Sequence, residues 1–550
     1  MNALSPRSAG GTLTFTDRWH GSLEILPGGL APKERKRIEE KMQTVADREA
    51  SARAAGAPTA PARRSSLSPF YNSELARLAG LVGLYSFLAV LFLRAFYITD
   101  PDIWWHLRTG DWILAHHSVP FTDPFSSYGM GKPWAAYSWL FEVLSASVFA
   151  RLGLMSIVLL EITVRVALSV ALFHLVQGLC GAFWRSVALT AAGLWVMTSV
   201  IGPRPGMLTI LFVIVEFDIL LSVSRTGRAK LLWLLPPMFA LWANWHIQFV
   251  YGLFVLGVFA CEPLLASLTG YVPREKSLLP VRQAWLVFAV SALATLLNPY
   301  GWKIYSTVFI YMGQTGAYNT ISELRAMTFR EPQHFGVLLL GLGAAMAIGW
   351  RRDARPLWVI FLVVTSLLAF RSVREVWFLA IVAVAVIAGG WNRGQGADLG
   401  DSMPLRLRLG VAVCVLAVLA VSVRHYSVSN DWLSIQVAGN FPEGASRFVE
   451  QHHLGGPLLN DLSWGGFLMW RLPQLPVAID GRTNVHGDAR ILEFANLWTG
   501  KPGWASDPEL VKANLVITPR VSAIASLLRT DSRFEVAYED VQAVVFRRRS

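Results

Sequence analysis

Thr99-Asp-Pro-Asp-Ile-Trp-Trp-His106 decides how this chain is to be read, because of what precedes it. From Leu78 to Tyr97 the sequence is almost wholly apolar, over the roughly 20 residues that a helix needs to cross hydrocarbon. Two carboxylates and a histidine then emerge together, beside the tryptophans that favour a headgroup region. The arrangement recurs downstream. Asn244-Trp-His246, Asn298-Pro-Tyr-Gly301, Glu323 and the pair Arg371/Arg374 each stand at the end of a later apolar segment.

Working outward, the 550 residues are 53% hydrophobic and only 16% charged, with mean hydropathy +0.43. The apolar residues fall in membrane-length blocks, so the class is an α-helical polytopic membrane protein. After the first span, others centre near residues 165, 194, 213, 235, 255, 290, 340, 363, 382 and 416, about eleven in all. Leu140–Leu152 holds Glu142 and Arg151 and is expected at the interface instead.

Threading these segments alternately puts the unusual polar groups on one side and the basic loops on the other. The second set carries Arg225/Arg228/Lys230, Arg274/Lys276/Arg282, Arg351/Arg352/Arg355 and Arg393/Arg406/Arg408. The positive-inside rule makes that side cytoplasmic. It also accounts for the net charge of +12 without an acidic partner, so nucleic-acid binding is not expected.

Three parts follow. Residues 1–74, with Lys33-Glu-Arg-Lys-Arg37 and Ala/Pro/Arg/Ser-rich stretches, form a disordered cytoplasmic tail with one short charged helix near Pro32–Ala52. Residues 75–425 form the membrane domain, with a first outer loop at 98–139. Residues 426–550 form a small extracytoplasmic α/β domain, where strand-length runs (457–460, 476–480, 514–518, 534–538 and 543–546) alternate with helix-like stretches. Gly465-Gly466 and Asp480-Gly-Arg482 are its expected turns. Cys180, Cys261 and Cys414 are far apart and suggest neither disulfide nor metal site.

Asp100 and Asp102 either cap the helix that starts at Ile103 or act as general base, where a carboxylate near the bilayer deprotonates a hydroxyl. With His106 they form the one set on which a divalent cation is considered, at spacing that is no strong signature. Arg371 and Arg374 run against the charge rule. They pair with Glu375 and acids of the loop Asn319–Glu331, or they clamp phosphate oxygens. Asn244, His246 and Gln248 suggest a lined cavity, and Glu323 is a second external acid. Glu161 and Arg165, one turn apart inside a span, read as a structural ion pair. No serine-hydrolase order, zinc-protease helix or phosphate loop is present.

These segments resemble the GT-C superfamily of polytopic glycosyltransferases, and within it a bacterial branch of membrane proteins. The resemblance rests on Asp100-Pro-Asp-Ile-Trp-Trp-His-Leu-Arg-Thr-Gly110, Pro120-Phe-Thr-Asp-Pro-Phe-Ser126, Pro133-Trp134, Arg204-Pro205 and Trp242-Ala-Asn-Trp-His246. It continues through Asn298-Pro-Tyr-Gly301, Arg371-Ser-Val-Arg374, Trp464-Gly-Gly466 and Ile479-Asp-Gly-Arg482. It implies a multi-pass protein of the bacterial cytoplasmic membrane that moves a sugar, with inversion, from a polyprenyl-phosphate donor to a lipid or surface glycan of the cell envelope. Asp100 or Asp102 would be the base and Arg371/Arg374 the phosphate clamp, with His106, Arg204, Asn244, His246 and Glu323 lining the substrate site. The Trp-Trp-Asp signature of oligosaccharyltransferases is missing, which argues against protein N-glycosylation. A flippase for lipid-linked saccharide and a non-catalytic envelope assembly protein are the alternatives.

The side assignment predicts that an impermeant thiol reagent applied to intact cells labels a cysteine placed at Tyr318 and spares one at Arg351. Labelling of both, or the reverse pattern, overturns it.

Overall fold

Each of the eleven apolar segments is helical in the computed structural model, which describes residues 36, 43–44, 73–94, 98–272, 277–314, 316, 321–351, 355–390 and 404–549. The expected tail 1–74 lies almost entirely outside these residues, as do Arg274, Lys276, Arg352, Arg393 and Tyr318. Residues from Asn72 onward belong to one compact unit.

The membrane helices, in chain order, are α1 (Glu74–Arg94), α4 (Met155–Cys180), α5 (Phe183–Met197), α6 (Gly206–Thr226) and α7 (Leu235–Trp245). After these come α8 (Phe249–Ala260), α9 (Glu262–Thr269), α10 (Val281–Ala294), α12 (Pro332–Arg351), α13 (Pro356–Arg371), α14 (Val376–Gly390) and α15 (Leu405–His425). Between them, α2 (Asp102–His116), α3 (Trp139–Leu152) and α11 (Lys303–Gly313) belong to the loops. Helix lengths do not match the expected eleven crossings one for one. Among the described residues six helices are long and apolar enough to span, and the bent pair α8/α9 would make a seventh. The segments near 194, 235, 290 and 363 form helices of 15, 11, 14 and 16 residues, short of the ~20 a full crossing takes.

Most of α14 is buried, as a helix apolar on every side must be when neighbours surround it; α4, α5, α12 and α13 do so. Glu161 and Arg165 of α4 form the expected ion pair, and Arg165 also donates to the Ile201 carbonyl at 3.2 Å.

The alternation of ends holds. At one end, Gln248 donates to Glu375 at 3.3 Å and Trp139 Nε1 to Asn244 at 2.8 Å. There Tyr300 Oη accepts the Ala136 N–H and donates to the Pro120 carbonyl, both at 2.9 Å. At the other end, Arg355 meets Glu262, Arg406 meets Glu74, and the Leu278 N–H donates to the Ser224 carbonyl. Acids, amides and histidine thus share one face of the bundle and the basic loops the opposite face.

On the acid-bearing face, α2 and α3 pack tightly because residue 110 is glycine. A Cβ there would fall 2.1 Å from the Glu142 carbonyl oxygen. Glu142 is buried, and its Oε1 meets His106 Nδ1 at 3.1 Å. The segment expected at the interface is therefore a packed helix of the outer layer.

The carboxyl-terminal domain contributes α16 (Asn430–Asn440), α17 (Glu443–Gln451), α18 (Gly465–Arg471), α19 (Thr483–Trp498) and the strands β1 (Leu458–Asn460), β2 (Leu515–Pro519), β3 (Phe534–Glu539) and β4 (Ala543–Arg548). The sheet order is β1-β2-β4-β3, with β1 and β2 parallel, the other pairs antiparallel, and β3–β4 the expected hairpin. Two expectations fail. The run 476–480 is no strand of this sheet: Val477 bridges Ser126 of the first outer loop instead. Gly465-Gly466 begins α18 and is not a turn.

Alternation along the strands sends Val516, Val544 and Phe546 into the domain's own small core. It sends Leu515, Ile517 and Val545 into the core shared with the bundle. Trp104 of α2 is fully buried in the shared core, its ring 5.4 Å from Phe441, 5.2 Å from Phe467 and 4.9 Å from Trp470.

The docking is locked by a buried arginine. Arg482 grips Asp480 with Nε–Oδ1 at 2.8 Å and Nη2–Oδ2 at 2.7 Å, and reaches Asp123 of the outer loop with Nη1 at 2.7 Å. Its guanidinium lies 4.6 Å from the Trp134 ring. Burial alone would raise the Asp480 pKa, but Arg482 and His486 outweigh it and hold the carboxyl well below its usual range. Arg482→Met would strand two carboxylates in the interface, a loss of about 3–5 kcal/mol. Thermal unfolding with limited proteolysis should show the domain released at lower temperature than in the parent, and an unchanged midpoint would refute the lock.

Candidate functional site

Four loop ends supply the site. Asp100 and Asp102 stand at the start of α2, Arg204 just before α6, Glu323 in the turn Ser322–Leu324, and Arg374 in the turn Val373–Glu375. The last two turns are tied by the Val373 N–H donating to the Arg325 carbonyl at 3.0 Å.

Arg204 is the hub. Its Nε donates to Asp100 Oδ2 at 2.6 Å and its Nη1 to Glu323 Oε1 at 2.5 Å, while its Nη2 lies 3.4 Å from Asp102 Oδ2. Arg374 joins through Nη2, 3.3 Å from the same Glu323 oxygen. Three carboxylates and two guanidiniums therefore form one connected, partly buried cluster.

The two aspartates differ. Asp100 is engaged through both oxygens, since Oδ1 accepts the Asp102 N–H at 2.9 Å while Oδ2 holds Arg204. That is the helix-capping role considered for the pair, now belonging to one member. Asp102 accepts Trp105 Nε1–H on Oδ1 at 3.1 Å and meets Arg204 only loosely through Oδ2. Burial, helped by Asp100 and Glu323 and opposed by Arg204 and Arg374, pushes its pKa up to about 6. Glu323 goes the other way: burial would raise it, but Arg374 and Arg204 prevail and hold it low.

His246 stands at the edge, its ring 6.2 Å from that of Tyr137. Trp242 Nε1 donates to Thr209 Oγ1 at 2.9 Å, and that hydroxyl lies 3.0 Å from His246 Nδ1. Burial and Arg374 lower the pKa of this imidazole to about 3, so it is a neutral N–H donor.

Other expected members are placed elsewhere. His106 turns Nδ1 to Glu142, away from the aspartates, and burial keeps it neutral. Asn244 is a brace between Trp139 Nε1 and the Ala240 and Leu297 carbonyls. Arg371 is exposed at the end of α13. Of the expected phosphate pair, Arg374 joins the cluster through Glu323.

For a divalent cation, the donor set does not fit. Asp100 and Asp102 both turn Oδ2 to Arg204, His106 faces Glu142, and no group of three His, Cys, Asp or Glu among the described residues has the geometry of a metal site.

Sequence inspection missed Tyr137, Thr209 and Glu142 as neighbours of the site. It also missed Gly481, whose α-carbon lies against Asp102. Asp123 and Arg482 stood within quoted motifs, but no spacing reveals a pairing across 359 positions.

Solved structures to which the chain is similar include the crystal structure of the Archaeoglobus fulgidus oligosaccharyltransferase in the apo form. That match has 10% identity, 82% of this chain and 70% of that chain covered, and a TM-score of 0.46. Another is ArnT from Cupriavidus metallidurans bound to undecaprenyl phosphate, at 14% identity, with 86% of this chain and 98% of that chain covered and a TM-score of 0.46. No family model and no curated protein matches the sequence. Both structural scores are low, and what the site can do rests on this chain's own side chains.

The cluster predicts strong coupling between its hub and its outer acid. In a double-mutant cycle, Arg204→Gln and Glu323→Gln should be coupled by about 1–3 kcal/mol in thermal stability, the double variant costing less than the sum. Additive losses would mean that the ion pair carries no stability.

Proposed function

We propose that this protein is a membrane glycosyltransferase with Asp102 as its general base. It takes a sugar from a polyprenyl-phosphate donor and transfers it to a hydroxyl of a lipid or surface glycan. The observation that carries this is a partly buried carboxylate, raised toward neutrality, in one cluster with arginines at the membrane face of a polytopic bundle. The resemblance of the loop motifs points the same way.

The chemistry follows from the residues. A base works best when its pKa lies near the working pH, and Asp102 at about 6 is ionised at pH 7 yet basic enough to accept a proton. Oδ2 takes the acceptor's hydroxyl proton as that oxygen attacks the anomeric carbon from the face opposite the phosphate. The bond between anomeric carbon and phosphate oxygen breaks, and the electron pair leaves with the polyprenyl phosphate. A single displacement inverts the anomeric centre. Arg374 carries N–H donors beyond its one edge on Glu323, and the neutral His246 adds another. Both stabilise the departing phosphate, whose charge is costly in a site with little water. Asp100 and Glu323 hold Arg204, and Arg204 keeps Asp102 ionised. The site faces the extracytoplasmic side of a bacterial cytoplasmic membrane, the amino terminus being cytoplasmic and the carboxyl-terminal domain outside.

A lipid-linked-saccharide flippase would use the same arginines but would need no base. Transfer from a labelled polyprenyl-phosphate sugar in proteoliposomes separates the two. Asp102→Asn should lose transfer on the order of 10²–10⁴-fold, and the parent rate should rise with pH through about 6, because protonated Asp102 cannot accept a proton. Undiminished transfer by the Asn variant would falsify the assignment, and donor translocation without transfer by the parent would favour the flippase.

A further inference from the structure

The carboxyl-terminal domain reaches the start of α2. Its turn Asp480-Gly481-Arg482 runs directly under α2. A Cβ on Gly481 would fall 2.3 Å from Asp102 Oδ1 and 3.6 Å from Trp105 Nε1, closer to the oxygen than any real side-chain carbon comes. At the neighbouring atom of the same indole, a Cβ on Gly466 would fall 2.6 Å from the Pro101 carbonyl oxygen and 3.3 Å from Trp105 Cδ1. Two glycines of the carboxyl-terminal part thus lie against the tryptophan whose N–H holds Asp102 at 3.1 Å.

We propose that the Gly481 turn is a positioning element for Asp102: it walls off Oδ1, keeps that oxygen on Trp105, and leaves Oδ2 as the oxygen that reacts. The turn is itself held from both ends. Asp480 Oδ1 accepts the Arg482 N–H at 2.9 Å, Asp480 Oδ2 lies 3.2 Å from His486 Nε2, and Arg482 reaches Asp123. A further tie comes from Thr483, which exchanges two hydrogen bonds of 2.8 Å with Gln314 beyond α11. The buried clamp therefore works on both partners. It docks the domain and sets the height of Gly481 against the carboxylate.

This reading deepens the assignment of Asp102 as base and rests on it for its catalytic meaning, though the contact can be tested without any transfer. Charged groups around Asp102 come from its own loop (Asp100) and from three others (Arg204, Glu323 and Arg374). The domain side presents Gly481, because Arg482 is turned to Asp480 and Asp123.

Gly481→Ala in the full-length protein tests it in three ways. Labelling by a hydrophobic carbodiimide, which attacks protonated carboxyls, can be quantified at Asp102 by mass spectrometry across pH. The midpoint should lie near 6 in the parent and move upward in G481A, since loss of the Trp105 N–H destabilises the carboxylate. Transfer should fall in kcat on the order of 10²-fold with donor KM unchanged. In thermal unfolding, G481A should be destabilising in the parent and neutral beside Asp102→Ala, because truncating Asp102 makes room for the new methyl.

A G481A protein that folds only in the D102A background supports the proposal. Failure in both backgrounds, or an unmoved labelling midpoint, overturns it. Transfer absent from the parent while the midpoint still shifts would sink the glycosyltransferase reading and leave the positioning contact standing.

Discussion

A guanidinium placed where a membrane bundle meets its outer loops has to be neutralised by neighbours, and everything at this site follows from how Arg204 is neutralised. A lone charge at such a depth is expensive. Arg204 therefore draws in Asp100, Glu323 and, more loosely, Asp102, and in doing so fastens three chain segments that are far apart in sequence. The acids exceed what one arginine can satisfy. That excess, with burial, leaves Asp102 loosely held and its pKa raised.

A second buried arginine repeats the principle beside the carboxyl-terminal sheet. Arg482 bridges Asp480 of its own domain and Asp123 of the outer loop. Isolated, such a charge would be a liability, and it is tolerable because both carboxylates are hydrogen-bonded to it. The two arginines have different duties. Arg204 organises the face of the bundle, and Arg482 brings the carboxyl-terminal turn close enough for Gly481 to lie against Asp102. Trp104 adds the apolar counterpart, inserting from α2 into the aromatic group Phe441, Phe467 and Trp470.

The helical segments were legible because hydropathy is a local property, and each apolar run became a helix where expected. Their lengths were not, since a run's apolarity does not say where neighbours let the helix stop: α7 and α10 end after 11 and 14 residues. Gly465-Gly466 looked like a turn because glycine pairs are common there. In the fold Gly466 is small because the start of α2 presses against it, and Gly465 because the backbone of Ile479 and Asp480 does. The run 476–480 looked like a strand, but Val477 bonds Phe125 and Ser127, while Ala478 and Ile479 bond the Asn460 side chain.

What the sequence determined by itself is a division of chemistry between two faces. Apolar blocks of fixed length, basic loops at alternate ends and acids at the others follow from the cost of putting charge into hydrocarbon, which every residue bears locally. Tertiary structure alone decided which polar groups act together. Arg204 became the partner of the aspartates, His106 went to Glu142, and a glycine near the carboxyl terminus came to rest on Asp102. Those choices are contacts across hundreds of residues, set by packing and by pairing of buried charge, and no local pattern encodes them.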